Sequence, residues 1–203
     1  MITKCMRLMG IVGLLALILA LGVGCPVIQE FVVFSDLALE DAVRGAIGKP
    51  FGLLMRSDLL GLLELDARGL GISDLTGLEY CTNVTFLDLD DNNIADLTPL
   101  ANLDNLEFLY LENNDITNIT PLAGLFYLNQ VTLFSNQVWD ISPLVDNALH
   151  SPGFGDGEGD FVTLDAEDFL NSNGDFLSAD IAEDVATLAA ENVEVVFTEP
   201  GTE

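Results

Sequence analysis

The stretch Val84–Asn105, "VTFLDLDDNNIADLTPLANLDN", is followed at once by Leu106–Tyr127, "LEFLYLENNDITNITPLAGLFY", with its apolar residues, its Asn and its Pro-Leu pair at the same offsets. The period is 22 residues, and it extends without a gap to Leu62–Asn83 on one side and to Leu128 onward on the other. Such a period decides the architecture before any local structure is considered, because each copy must occupy the same environment as its neighbours.

The register is clear position by position. The first position holds Leu62, Val84, Leu106 and Leu128; the fourth holds Leu65, Leu87, Leu109 and Val131; the sixth holds Ala67, Leu89, Leu111 and Leu133. Leu70, Asn92, Asn114 and Asn136 occupy the ninth position, Ile72, Ile94, Ile116 and Val138 the eleventh, and Leu75, Leu97, Ile119 and Ile141 the fourteenth. Pro-Leu closes the pattern at Pro99, Pro121 and Pro143. One unit buries too little apolar surface to offset its backbone entropy, so it folds only against copies of itself.

Alternation around positions four to six, as in Leu87-Asp88-Leu89, predicts a short strand with one buried face. Equivalent strands of successive units then lie side by side as a parallel sheet. The ninth-position Asn is read as a turn residue whose amide satisfies backbone groups left open where strand becomes loop. Cys81, equivalent to Leu103 and Leu125 at position 20, is read as a small core residue.

These residues resemble the leucine-rich repeat family, and within it the 22-residue internalin-type repeat, L-x-x-L-x-L-x-x-N-x-I-x-D-I/L-x-P-L, over residues 62–147. The resemblance implies an α/β fold: a right-handed, horseshoe-like solenoid with a concave parallel sheet, a convex side of 3₁₀ turns or extended chain, a helical N-terminal cap and an α/β C-terminal cap.

Solenoid ends expose core and need covers. Residues 35–61 form the expected N-terminal cap: "SDLALEDAVRGAIGKP" places Leu39, Val43, Ala46 and Ile47 at helical spacing, pairs Glu40 with Arg44 at i,i+4 and stops at Gly48 before Pro50, and a second short helix begins near Ser57. Residues 148–203 are assigned to the C-terminal cap. They comprise an acidic Gly-rich loop (151–160), a strand resuming at Phe161–Leu164, a helix over 179–190 with Ile181, Val185 and Leu188 on one face, and a closing strand over 193–197. The loops "DGEGD" and "NSNGD" fail the calcium-loop spacing and are read as solvated, so neither metal nor cofactor is expected.

The chain of 203 residues carries 33 acidic and 6 basic side chains, and the last basic residue is Arg68. Everything beyond Arg68 is anionic, which excludes nucleic acid as a partner. At the N-terminus, "MITKCMR" supplies two positive charges, an apolar run follows to Gly24, and Cys25 comes next. This resembles a bacterial lipoprotein signal (1–24) with lipid on Cys25 and a tether (25–34), although Leu21 stands four places before the Cys instead of three. An uncleaved membrane anchor and simple secretion are the alternatives, and all three export the domain to the cell envelope or beyond. A Cys25–Cys81 disulfide competes with lipidation.

No enzyme constellation is present. His150 is the sole His, and no nucleophile-elbow, zinc-helix or phosphate-loop motif occurs. The candidate binding residues are those at positions three, five and seven, which point away from the core: Phe86, Asp88, Phe108, Tyr110, Glu112 and Phe134 on the expected concave face. Aromatic side chains set among carboxylates favour a protein partner, and the resemblance adds weight because the concave sheet is the family's usual recognition surface. A polysaccharide stacked on the same rings is a second ligand class. A structural envelope component whose face is narrow and self-covered is the non-binding alternative.

Overall fold

The computed structural model describes residues 31–150, 160–165 and 179–198. The signal segment, Cys25 and the two acidic loops (Asp160 apart) lie outside the described residues. All elements below belong to the compact unit Val32–Glu203.

Six strands form one parallel sheet in sequence order: β1 (Glu64–Asp66), β2 (Phe86–Asp88), β3 (Phe108–Tyr110), β4 (Gln130–Thr132), β5 (Phe161–Asp165) and β6 (Glu194–Thr198). Over the first four the register is one repeat per rung. Glu64 stands opposite Phe86, Phe86 opposite Phe108, and Phe108 opposite Gln130. Leu65, Leu87, Leu109, Val131 and Val162 therefore stack in a single buried row, with Ala67, Leu89, Leu111, Leu133 and Leu164 as a second row beside it. The stacked parallel-sheet solenoid read from the period, of the leucine-rich repeat kind that the resemblance implies, is the fold observed.

The chain returns from strand to strand through 3₁₀ turns at Leu78–Tyr80, Thr98–Leu100 and Thr120–Leu122. Each is entered through a side-chain turn at position 13. Asp74, Asp96 and Asn118 accept the N–H two residues on, at Thr76, Thr98 and Thr120, at 2.8, 2.9 and 2.9 Å. Asp140 does the same for Ser142 at 3.0 Å, but there the turn lengthens into helix α3 (Ser142–His150). The repeat pattern contains no signal for that helix beyond Pro143 at its first turn. From α3, Asn147 reaches back to donate to Leu122 O at 2.6 Å.

The positions where strand meets loop are held by the ninth-position Asn, as the sequence predicts. Asn92 Oδ1 accepts Ile72 N–H at 2.9 Å, while its Nδ2 donates to the carbonyls of Ala67, Leu89 and Asp90. Asn114 and Asn136 repeat the arrangement one and two rungs on. Just before the ninth position, which is Leu70 in the first repeat and Asn in the others, position eight adopts a positive φ: Gly69 (67°), Asp91 (58°), Asn113 (52°) and Ser135 (55°). Gly, Asp and Asn are the residues that tolerate this region best, which accounts for most of the composition of the row.

Both ends are covered. Helix α1 (Leu37–Ala46) is capped by Asp36, whose Oδ1 accepts Ala38 N–H at 2.8 Å, and whose Oδ2 accepts Ser73 N–H at 3.1 Å, tying cap to first repeat. Arg44 pairs with Glu40 at 2.7 Å and closes the segment beyond the helix through Lys49 O and Gly52 O. Helix α2 (Arg56–Leu59) leads into β1. At the other end, helix α4 (Ala179–Ala190) packs on α3 and β6, burying Leu188 fully and Ile181 and Val185 in part. Cys81 is a free, fully buried thiol, as expected of a small core residue; the partner considered for it, Cys25, lies outside the described residues.

Candidate functional site

The sheet has one face on the core, and its open face carries the residues at positions three, five and seven. Register places Asp88 between Asp66 on β1 and Tyr110 on β3, and Phe108 between Phe86 and Gln130. Three rings converge there. Phe86 lies 6.4 Å from Phe108 and 5.4 Å from Tyr110, centroid to centroid, with interplanar angles of 41° and 51°. These are favourable tilted geometries that hold the rings in one arrangement. All three are half-buried, so each presents an edge outward while covering its neighbours.

Tyr110 is anchored at its polar end, donating to Gln130 Oε1 at 3.2 Å. Burial, with the carboxylates of Asp88 and Asp90 beside it, pushes the Tyr110 phenol above its ordinary value. Asp88 is half-buried and accepts Asp90 N–H at 3.1 Å. Glu112 and Phe134, on the next two rungs at position seven, are also half-buried.

Two residues depart from the expected outward orientation. Thr132 is buried, with its hydroxyl oxygen 3.3 Å from Leu111 N–H as an acceptor. Asp90 is 4% exposed and accepts the Glu112 N–H at 2.7 Å, so it staples two rungs together instead of projecting. Burial pushes its carboxyl up to about 6, against the pull of that hydrogen bond and of Arg68. Nothing in the spacing distinguishes Asp90 from Glu112 or Arg68 at the same position. The difference arises from what the adjacent rung offers.

Arg68, the last basic residue, is committed to this end of the face. Its guanidinium lies 2.8 Å from Asp91 and 3.3 Å from Asp90, and those carboxylates raise its already high pKa. Asp91 in turn accepts from Asn113 Nδ2 at 2.8 Å. Beyond this cation the described residues of the face are aromatic, anionic or neutral polar, with no Lys or Arg, a surface suited to recognition by contact and hydrogen bonding.

Chemically reactive groups lie elsewhere. The Cys81 thiol is pushed up to about 12 by burial and by the Glu79 charge, which leaves it un-ionised. His150 is exposed, with Nδ1 2.9 Å from Asp146 O. Among the described residues no group of His, Cys, Asp and Glu is placed to hold a metal ion, and no helix is long and apolar enough to cross a membrane.

The structure is similar to that of an internalin (inlF) from Listeria monocytogenes, with a TM-score of 0.65 and 25% identity over 87% of this chain and 46% of that one. This chain thus spans less than half the length of that internalin. Internalin C2 from the same organism is 25% identical over 82% of this chain and 95% of its own, with a TM-score of 0.39. No protein-family model and no curated protein matches the sequence.

Proposed function

We propose that this chain, a leucine-rich repeat solenoid of the internalin type, is an exported, non-catalytic recognition module, held at the bacterial cell envelope through lipid on Cys25, that binds a partner protein with the open face of its sheet. The observation that carries the reading is the cluster of Phe86, Phe108 and Tyr110, three rings kept partly exposed on adjacent rungs of a rigid sheet. Preorganised aromatic side chains are the usual centres of binding energy at protein interfaces, because they bury much area and lose little entropy. The surrounding carboxylates of Asp88 and Glu112 suit a partner with a basic rim around an apolar centre.

The test is capture of partners from envelope and medium of the source cell, with the chain beside a Phe108→Ser/Tyr110→Ser variant of matched thermal stability. A protein retained by the first and lost by the second supports the reading. Retention of nothing by either favours a structural envelope component. The anchoring is tested separately: the mass of the mature N-terminal peptide carries a diacylglyceryl Cys25 if the assignment holds, and Cys25→Ser releases the protein from membranes.

A further inference from the structure

The edge of the sheet where each strand begins carries a groove that the open face does not use. Asn83, Thr85, Asn105, Glu107 and Tyr127 line a hollow of about 380 Å³. Thr85 and Glu107 stand at repeat position two, and Asn83, Asn105 and Tyr127 at position 22, so the groove is two rows of side chains crossing three rungs. Its floor is fixed by backbone bonds that run from rung to rung. Thr85 N–H donates to Leu63 O at 2.8 Å, Glu107 N–H to Thr85 O at 2.9 Å, and Asn129 N–H to Glu107 O at 2.8 Å. The two amides are held at one end as well: Asn83 Nδ2 donates to Leu60 O at 2.9 Å and Asn105 Nδ2 to Thr82 O at 2.8 Å.

We propose that this groove binds a neutral, unbranched oligosaccharide. The hollow is shallow and open, with Asn83, Asn105 and Tyr127 exposed, so it suits an extended chain lying along the surface and not an enclosed ligand. The lining contains one acid and no cation, and the chain has no Lys or Arg beyond Arg68, so phosphorylated, sulfated or uronate-rich ligands are repelled. An extended peptide would need open main-chain groups at the edge, whereas those N–H groups already bond to the preceding rung. What remains is the amide oxygens and second N–H groups of Asn83 and Asn105, the acceptor side of the Thr85 hydroxyl, which itself donates to Leu63 O at 3.3 Å, and the Glu107 carboxylate, beside one ring, Tyr127, which is 51% exposed.

That combination matches a pyranose, whose hydroxyl rim needs planar donors and acceptors and whose C–H face stacks on an aromatic ring. The rungs recur at about 4.8 Å, comparable to one sugar ring along an extended chain, so successive rings meet successive rungs. The site is separate from the open face and does not depend on the partner-binding reading.

The test is calorimetric titration of the full chain with three neutral probes, cellotetraose, chitotetraose and maltotetraose. At least one is expected to bind with a Kd near or below about 1 mM. Tyr127→Ala should weaken it at least about tenfold through loss of the stacked ring, and Glu107→Gln severalfold, with unchanged thermal melts because neither side chain supports the core. Phe108→Ser/Tyr110→Ser should leave sugar affinity unchanged while abolishing capture of a protein partner. No heat from any tetraose at about 10 mM overturns the proposal, as does full affinity in Tyr127→Ala. Should that variant lose its melting transition, undiminished affinity in Glu107→Gln overturns it alone.

Discussion

Asn114 Oδ1 accepts the N–H of Ile94 at 2.9 Å from the next rung, while its Nδ2 donates to the carbonyls of Leu89, Leu111 and Glu112. One side chain thus satisfies four backbone groups in two coils. Replacement by Ala strands a buried donor and several acceptors, each costing roughly 1–3 kcal/mol when left unpaired. Asn114→Ala should therefore destabilise by at least about 3 kcal/mol, and Asn114→Asp comparably, since a carboxylate cannot donate to carbonyls. Urea unfolding measures both. A loss below about 1 kcal/mol for Asn114→Ala would show that the amide row is dispensable.

Gly77 occupies position 16, where the later repeats carry Pro99, Pro121 and Pro143. Its φ is 111°, and a Cβ built there would lie 2.5 Å from the ring of Phe34, which falls in the tether expected from the sequence but is buried against the first repeat. Gly77→Ala combines backbone strain with overpacking and should cost about 3 kcal/mol or more. In the Phe34→Leu background the further cost of Gly77→Ala should shrink, because the clash is relieved and the strain remains. Equal costs in both backgrounds, by thermal denaturation, would sink the steric explanation.

The Asp90 carboxyl titrates at about 6 in the folded chain, against an ordinary 3.8. An acid whose pKa is higher folded than unfolded binds more protons in the folded state, so its contribution to stability falls as pH rises from about 4 to about 6 and stays lost above that. At about 1.4 kcal/mol per tenfold change in affinity, this amounts to at most about 3 kcal/mol. Asp90→Asn keeps an acceptor for Glu112 N–H and loses the charge. Its melting temperature relative to the parent should rise between pH 4.5 and pH 7.5, settling the matter against Asp90 if the difference stays flat.

Cys81 is fully buried and its thiol is pushed up to about 12, so at neutral pH it is neither reachable nor ionised. In the full chain carrying Cys5→Ser and Cys25→Ser, a thiol-reactive disulfide reagent should react only as fast as the protein unfolds. Rapid reaction under native conditions, before any loss of circular dichroism, would place Cys81 outside the core.

Much of the fold is legible because a repeat states each requirement several times. The buried rows, the parallel register and the Asn row follow from positions one, four, six, nine and eleven, where apolar or amide residues recur. Phe161–Asp165 and Glu194–Thr198 continue the sheet although their spacing leaves the 22-residue period, since a short apolar alternation suffices to extend an edge. Helix α3 was not legible: its sequence, Ser142–His150, still reads as the Thr-Pro-Leu turn of the earlier units until the chain fails to return on schedule.

The open face was legible only in outline. Positions three, five and seven identify Phe86, Phe108 and Tyr110, but the same rule sends Asp90 and Thr132 outward, and both are buried.

The sequence by itself determined the stack, because a 22-residue period of apolar residues has a self-consistent solution only when each copy packs on the next. The tertiary structure alone decided that Asp90 turns inward to Glu112, that Gly77 makes room for Phe34, and that Asn83, Asn105 and Tyr127 meet Thr85 and Glu107 in one groove. Each of these depends on what stands a full rung or more away, where distance along the chain says nothing about distance in space.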